Sequence, residues 1–292
     1  MNKKKLRYLL DEVVFIGPAF IFFLIIVIIP FIIGMYYSFT SWDGVNDNIT
    51  WVGLDNFIYL FKDEGFINSF IFTLKFTFVS VIITNLIALL LALVLTSQIK
   101  TSKVLRTVFF TPNVISGLLL GFVWQFIFVN GFSAIGEMTD LAFFNLPWLG
   151  TASTAFWAII IVSSWQGAGY LMVIYIAGII NIPTDLKEAA GIDGANAFQR
   201  FFKVTLPMIM SSITICLFLS ISWAFKMFDL NYALTKGGPF NSTKSVALDI
   251  YLEAFQNNNY GLGTAKAFVF FIVVAGITAL QVKLTKEREV EM

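Results

Sequence analysis

Two stretches of this chain carry residue types that could do chemistry, and in neither is it the chemistry of breaking bonds. The first is Trp165-Gln166-Gly167-Ala168-Gly169-Tyr170 together with Ser220, Ser222, Trp223 and Lys226, which places amides, hydroxyls and aromatic rings inside otherwise apolar runs. Amides and hydroxyls hydrogen-bond a hydroxylated solute, and aromatic faces cover its C–H surface, so these groups suit holding a molecule rather than converting it. The second is Glu188-Ala189-Ala190-Gly191-Ile192-Asp193-Gly194-Ala195, closed by Leu206-Pro207, a polar island between two long apolar runs. Glu188, Ala189 and Ala190 favour a helix, Thr184 is placed to cap it, and Asp185 and Glu188 suit the positive end of its dipole. The small residues leave room for another surface to approach closely, which is what a docking element needs.

Enzymatic readings lack their parts. The chain has no histidine and a single cysteine, Cys216, inside an apolar run. The usual general base, the Ser-His and Cys-His pairs and the commonest metal ligand are therefore missing, and no intrachain disulfide can form. No acidic pair or metal set lies within the apolar runs, so no catalytic residue, metal or cofactor is expected, nor a nucleic-acid partner.

The elements that position these residues are membrane spans. With 58% hydrophobic residues, 13% charged residues and 33 phenylalanines, the composition is that of a polytopic membrane protein. A bilayer core of about 30 Å needs about 20 apolar helical residues. Six runs qualify, near residues 13–39, 66–95, 108–129, 152–180, 206–228 and 262–283. The first follows Lys3, Lys4, Lys5 and Arg7; it is too long for a signal peptide and carries Pro18 and Pro30, so it reads as a span. The expected fold is all-α, with a cytoplasmic tail at 1–12, a first span at 13–39, a core at 66–285 containing spans two to six and a loop at 181–205 between spans four and five, and a tail at 286–292.

Thirteen of the nineteen basic residues fall on one side of that arrangement: the amino-terminal four, Lys100, Lys103, Arg106, Lys187, Arg200, Lys203, Lys283, Lys286 and Arg288. By the positive-inside rule that side is cytoplasmic, and it holds both termini and the Glu188 island. The opposite side carries Trp42, Trp51 and Trp148, read as an interfacial aromatic belt, and loops too short for an independent domain. Solute capture then falls to a separate protein. The spans show neither a carboxylate set for a driving ion nor a channel filter, so energy must also enter from another polypeptide. Gly117 and Gly121 are spaced for helix contact, Phe268-Val269-Phe270-Phe271 suits lipid, and Lys226 is placed to snorkel to the interface.

The spacing Glu-Ala-Ala, three residues, Gly194, nine residues, Val204, one residue, Leu206-Pro207 resembles the loop motif of permease subunits of binding-protein-dependent ATP-binding-cassette importers, with Val204 where isoleucine is usual. Further runs resemble the multiple-sugar and maltose-type branch: Trp51-Val52-Gly53-Leu54-Asp55-Asn56-Phe57, Phe109-Phe110-Thr111-Pro112, Pro147-Trp148-Leu149-Gly150 and Ala233-Leu234-Thr235-Lys236-Gly237-Gly238-Pro239. The resemblance covers nearly the whole chain. It implies a six-span permease that works beside a second homologous permease, a pair of cytoplasmic ATPases that bind the ATP, and an extracytoplasmic sugar-binding protein, all in a bacterial cytoplasmic membrane. It assigns ATPase coupling to Glu188, Ala189, Ala190, Asp193, Gly194, Ala195, Leu206 and Pro207. It assigns the sugar pathway to Gly167, Tyr170, Ser220, Trp223, Ala224 and Met227, the last two standing where maltose-type relatives carry amides, so the cargo expected is a sugar and not maltose in particular. A glycerol-phosphate permease is the rival within transport, and an assembly or sensor subunit without a pathway the rival outside it.

Overall fold

The computed structural model describes residues 14–97 and 99–287. The expected tail at 1–12, Val13, Gln98, Arg288 and the remainder of the tail to 292 lie outside the described residues. Helices α1 to α12 span Val14–Tyr37, Asp55–Leu60, Glu64–Leu95, Ser102–Val114, Gly117–Thr139, Ala152–Ile180, Thr184–Ile192, Ala197–Met208, Met210–Phe225, Asp229–Leu234, Val246–Tyr251 and Tyr260–Lys286. Among the described residues the extended chain amounts to one isolated bridge, Thr40 to Trp51.

The first compact unit takes the residues up to Asp63 together with Ile250–Val269. Helix α1 is apolar all round and exposes Phe15, Phe20, Phe22 and Ile26, as a helix surrounded by acyl chains does. Its ladder widens into a π turn at Leu24–Ile28 just before Pro30, which has no N–H to donate. Trp42 stacks on Tyr37 and meets Tyr260 edge-on, and Gly261 lies so close to Thr40 that a Cβ there would collide with the Thr40 carbonyl oxygen. In the first part of α12, Lys266 is 1% exposed and its Nζ lies 2.7 Å from Asp63 and 2.9 Å from Glu253.

The second unit takes Glu64–Asp249 and the residues from Phe270 onward. Its centre is the pair α3 and α6. Helix α3 buries a stripe of small residues, Ser69, Thr73, Thr77, Ser80, Thr84, Ala88 and Ala92, which lets α6 approach closely, while Ile71, Leu74, Phe78 and Leu90 face outward. Three of the stripe's hydroxyls find partners, whereas Thr77 Oγ1 is buried without one: Ser69 Oγ donates to Gly65 O at 2.8 Å, Thr73 Oγ1 to Ser69 O at 2.8 Å, and Thr84 Oγ1 across to Ser164 Oγ at 3.1 Å. Gly169 touches α4, where a Cβ would collide with Phe109 O, and Gly121 lies against Ala233 of α10, with only 2.5 Å for a Cβ. These glycines are packing positions, as the spacing of Gly117 and Gly121 predicts.

The structure departs from the expected spans in two places. The run at 108–129 is divided between α4 and α5 by a break at Ile115 and Ser116, whose ψ angles are 134° and 138°. The carbonyl of Ile115 is repaid by Gln166 Nε2 at 3.1 Å, a donor from another helix. The run at 206–228 is also not one helix. A π turn at Phe201–Thr205 precedes Pro207, the helix breaks at Ile209, and α8 meets α9 at 71°. Among the described residues five helices are thus long and apolar enough to cross a membrane, or six if α8 and α9 form one bent span.

Two smaller corrections follow. Trp148 is not an interfacial anchor: it is 5% exposed, stacks on Phe128, and its Nε1 donates to Phe143 O at 3.0 Å. Thr184 does not cap α7, since Pro183 occupies the cap position and Thr184 is the first helical residue.

Candidate functional site

A cavity of about 280 Å³ opens inside the second unit. Its walls come from α3 (Phe76, Ser80, Thr84), the middle of α6 (Ser163, Gln166, Gly167), the α4–α5 break and the end of α9 (Ser220, Trp223, Ala224) running on into Met227. Five of the six expected pathway residues, Gly167, Ser220, Trp223, Ala224 and Met227, share this wall. Tyr170 lies outside it but meets the Trp223 ring edge-on at 5.3 Å. Gly167 thins the wall: a Cβ there would stand 3.3 Å from Thr84 Cγ2.

The hydrogen bonds fix what the cavity offers. Ser220 Oγ donates to Cys216 O at 2.7 Å and accepts from Asn85 Nδ2 at 2.9 Å, which leaves one lone pair for a visitor. Gln166 uses one hydrogen of its Nε2 on Ile115 O, which leaves the other to donate and Oε1 to accept. Asn85 is saturated, donating also to Val81 O at 2.8 Å and accepting from Tyr175 Oη at 2.8 Å. The polar wall therefore offers both acceptors and donors, Lys226 among the donors, which suits a hydroxylated ligand. Lys226 and Asp229 both stand at the cavity. Lys226, exposed at the end of α9, thus lines the cavity that Asp229 also lines.

Sequence reasoning missed Asn85, Asn113, Ser80 and Thr84. Three of them sit in α3 and its small-residue stripe, where a hydroxyl or amide reads as packing. Their only signal is that polar groups recur on one face of a span, which is costly in lipid unless the face is covered.

The second set of candidates lies on the surface between α6 and α9. Helix α7 carries Glu188, Ala189 and Ala190 with no residue buried along its length. It ends at Asp193, and Gly194 follows at φ +70°, a left-handed position that favours glycine. Ala195 N donates to Ala190 O at 3.0 Å and Asp193 N to Ala189 O at 2.9 Å, closing the carboxyl end of the helix. A capping box then opens α8, with Asn196 and Gln199 exchanging side-chain and backbone bonds at 2.9 Å. Leu206 and Pro207 are half-buried near the α8–α9 bend. Two large apolar side chains stand out beside them, Ile192 at 87% and Phe198 at 72% exposure, and nothing lies within 4 Å of the Cβ positions of Gly191 or Gly194. The island is an exposed surface whose helix ends are closed by backbone bonds and a capping box.

Comparison with known proteins agrees with this geometry. Residues 84–287 match the family described as binding-protein-dependent transport system inner membrane component. The chain is 47% identical, over 95% of its own length and 94% of the relative's, to the probable starch degradation products transport system permease protein AmyD of Thermoanaerobacterium thermosulfurigenes. It is 36% identical, over 89% and 90% of the two chains, to the multiple sugar-binding transport system permease protein MsmF of Streptococcus mutans. Its fold matches a chain of a bacterial ABC transporter involved in the import of the acidic polysaccharide alginate, with a TM-score of 0.83 over 97% of this chain and 96% of that one at 23% identity. The chain belongs to the family of inner membrane components of binding-protein-dependent transport systems.

Proposed function

We propose that this chain is one permease of an ATP-driven importer that passes a sugar or oligosaccharide from an extracytoplasmic binding protein across a bacterial cytoplasmic membrane. The observation that carries the reading is the shared wall of Gly167, Ser220, Trp223, Ala224 and Met227, an aromatic face and free acceptors around about 280 Å³ within a membrane-spanning bundle. The names of the relatives supply the substrate class. Counting α8 with α9 as one bent span supports six spans with both termini on one side, and the excess of basic residues there supports that side, with α7, being cytoplasmic.

On this reading α7 is the coupling helix. Its exposed Glu188, Ile192 and Asp193 dock in a cytoplasmic ATPase, which binds the ATP, and Gly194 sets the angle at which the chain leaves. Gly167 lies about 20 Å along α6 from the end that feeds α7. Closure of the ATPases would pull that end of α6 and the α8–α9 bend together, and so move the two helices that line the cavity. A second homologous permease completes the pathway from the other side, and lipid surrounds the outward faces of α1, α3 and α12.

Lys226 gives the glycerol-phosphate reading its one foothold, but Asp229 lines the same cavity and offsets the charge a phosphate would need. Uptake of labelled mono- and oligosaccharides and of glycerol 3-phosphate, in cells with and without the chain, separates the two. Loss of a saccharide's uptake is expected; loss of glycerol 3-phosphate uptake alone would replace the reading.

A further inference from the structure

A second and larger cavity, about 700 Å³, lies ahead of the first along the same two helices. Helix α3 lines it with Asn68, Phe72 and Lys75 before reaching the first cavity at Phe76, Ser80 and Thr84. Helix α6 does the same, giving Ser153 and Phe156 to the second cavity before Ser163, Gln166 and Gly167 to the first. Both helices therefore pass the two cavities in the same order. The partition includes Phe72 and Phe76, 7% and 1% exposed, whose rings stack with centroids 6.2 Å apart.

Lys75 is the telling residue. It sits about 16 Å into a membrane-spanning helix and makes no ion pair among the described residues, whereas nearby Lys244 is paired with Asp249 at 2.5 Å. An unpaired lysine on a membrane-spanning helix is tolerated where its ammonium reaches water or a ligand, and Lys75 is exposed at this cavity. Ser242 Oγ, at its edge, is buried without a hydrogen-bond partner. Asn68, Ser153 and Asn241 add donors and acceptors, and Phe156 and Phe240 add ring faces. With Lys244 paired to Asp249, Glu64 and Lys75 leave one charge of each sign in the lining, and the mixture of donors, acceptors and rings fits a neutral polyhydroxylated molecule.

We propose that this second cavity is a saccharide-receiving site, occupied before the central cavity and separated from it by the Phe72–Phe76 partition. The inference rests on the transport reading above, and its test separates the two. The probes are labelled maltooligosaccharides, trehalose and raffinose, offered to membranes holding the assembled importer with its binding protein. Lys75→Met removes an intramembrane charge and so does not hinder insertion. With Ser153→Leu, it should raise the KM for uptake about tenfold, the size expected from losing one or two hydrogen bonds, with the maximal rate retained. In parallel, Asn241→Cys supplies an accessible thiol, Cys216 being fully buried, and an imported saccharide should slow its labelling by a maleimide. Import with unchanged KM and no protection would overturn the second site and leave the transport reading standing. Absence of both import and binding of every probe would overturn both.

Discussion

Replacing Asn85 by leucine tests whether the central cavity is held in shape by a buried polar network. Asn85 joins three helices: its Nδ2 donates to Ser220 Oγ at 2.9 Å on α9, and its Oδ1 accepts from Tyr175 Oη at 2.8 Å on α6. Leucine keeps the volume and removes both bonds. Ser220 retains its donation to Cys216 O, but Tyr175, 2% exposed, is left with the Cys216 thiol, a weak partner. In a water-soluble protein an orphaned hydroxyl would cost about 1–3 kcal/mol. Between membrane helices the measured worth of one such bond averages about 0.6 kcal/mol and reaches about 1.7, because the separated helices also find partners. Two bonds then amount to about 1–3 kcal/mol. At about 2–4 °C per kcal/mol for a unit of this size, the melting temperature of the purified complex should fall by several degrees. A cycle with Tyr175→Phe should return a coupling energy of about 0.6–1.7 kcal/mol. The KM for uptake should rise as well, since Ser220 loses its orientation. Additive effects of the two substitutions, or an Asn85→Leu complex as stable as wild type, would refute the reasoning.

Three further outcomes are expected. Lys266→Met removes the cation shared by Asp63 and Glu253 and should lower stability by about 3–5 kcal/mol, read as loss of folded protein, with partial recovery when Asp63→Asn and Glu253→Gln are added. Gly121→Val forces a side chain into the 2.5 Å left by Ala233 and should cost about 1–3 kcal/mol in a thermal melt, whereas Gly276→Val, with nothing within 4 Å, should melt as wild type does. Trp223→Ala removes a ring from the cavity wall and should reduce saccharide uptake at least about tenfold, while Trp165→Ala, whose ring packs edge-on to Trp124 outside that cavity, should be closer to wild type.

Much of this was legible in the sequence because membrane spans obey a length rule that single residues cannot disguise. The runs at 66–95 and 152–180 are found as Glu64–Leu95 and Ala152–Ile180. The break at Ile115 was not legible, because the group that satisfies its carbonyl, Gln166, is supplied by a distant part of the chain. Trp148 was misplaced for a similar reason: a tryptophan near a span end anchors at the interface unless an aromatic cluster covers it, and Phe128, Phe132 and Phe143 do. The pathway residues came from a resemblance, and the geometry groups five of them. What the resemblance could not supply were Asn85 and Lys75, polar residues in α3 whose meaning depends on which neighbour they face.

The most direct test of the account is the amount of saccharide imported per ATP hydrolysed by the reconstituted importer carrying Glu188→Ala with Gly194→Asp, at wild-type protein level. Gly194 holds a φ of +70°, and the exposed surface around it has no other occupant within this chain, so the substitutions change the docking surface and not the bundle. The account predicts that import falls at least about tenfold while the chain still inserts and its melting temperature moves by only a few degrees. Import at the wild-type ratio would contradict it.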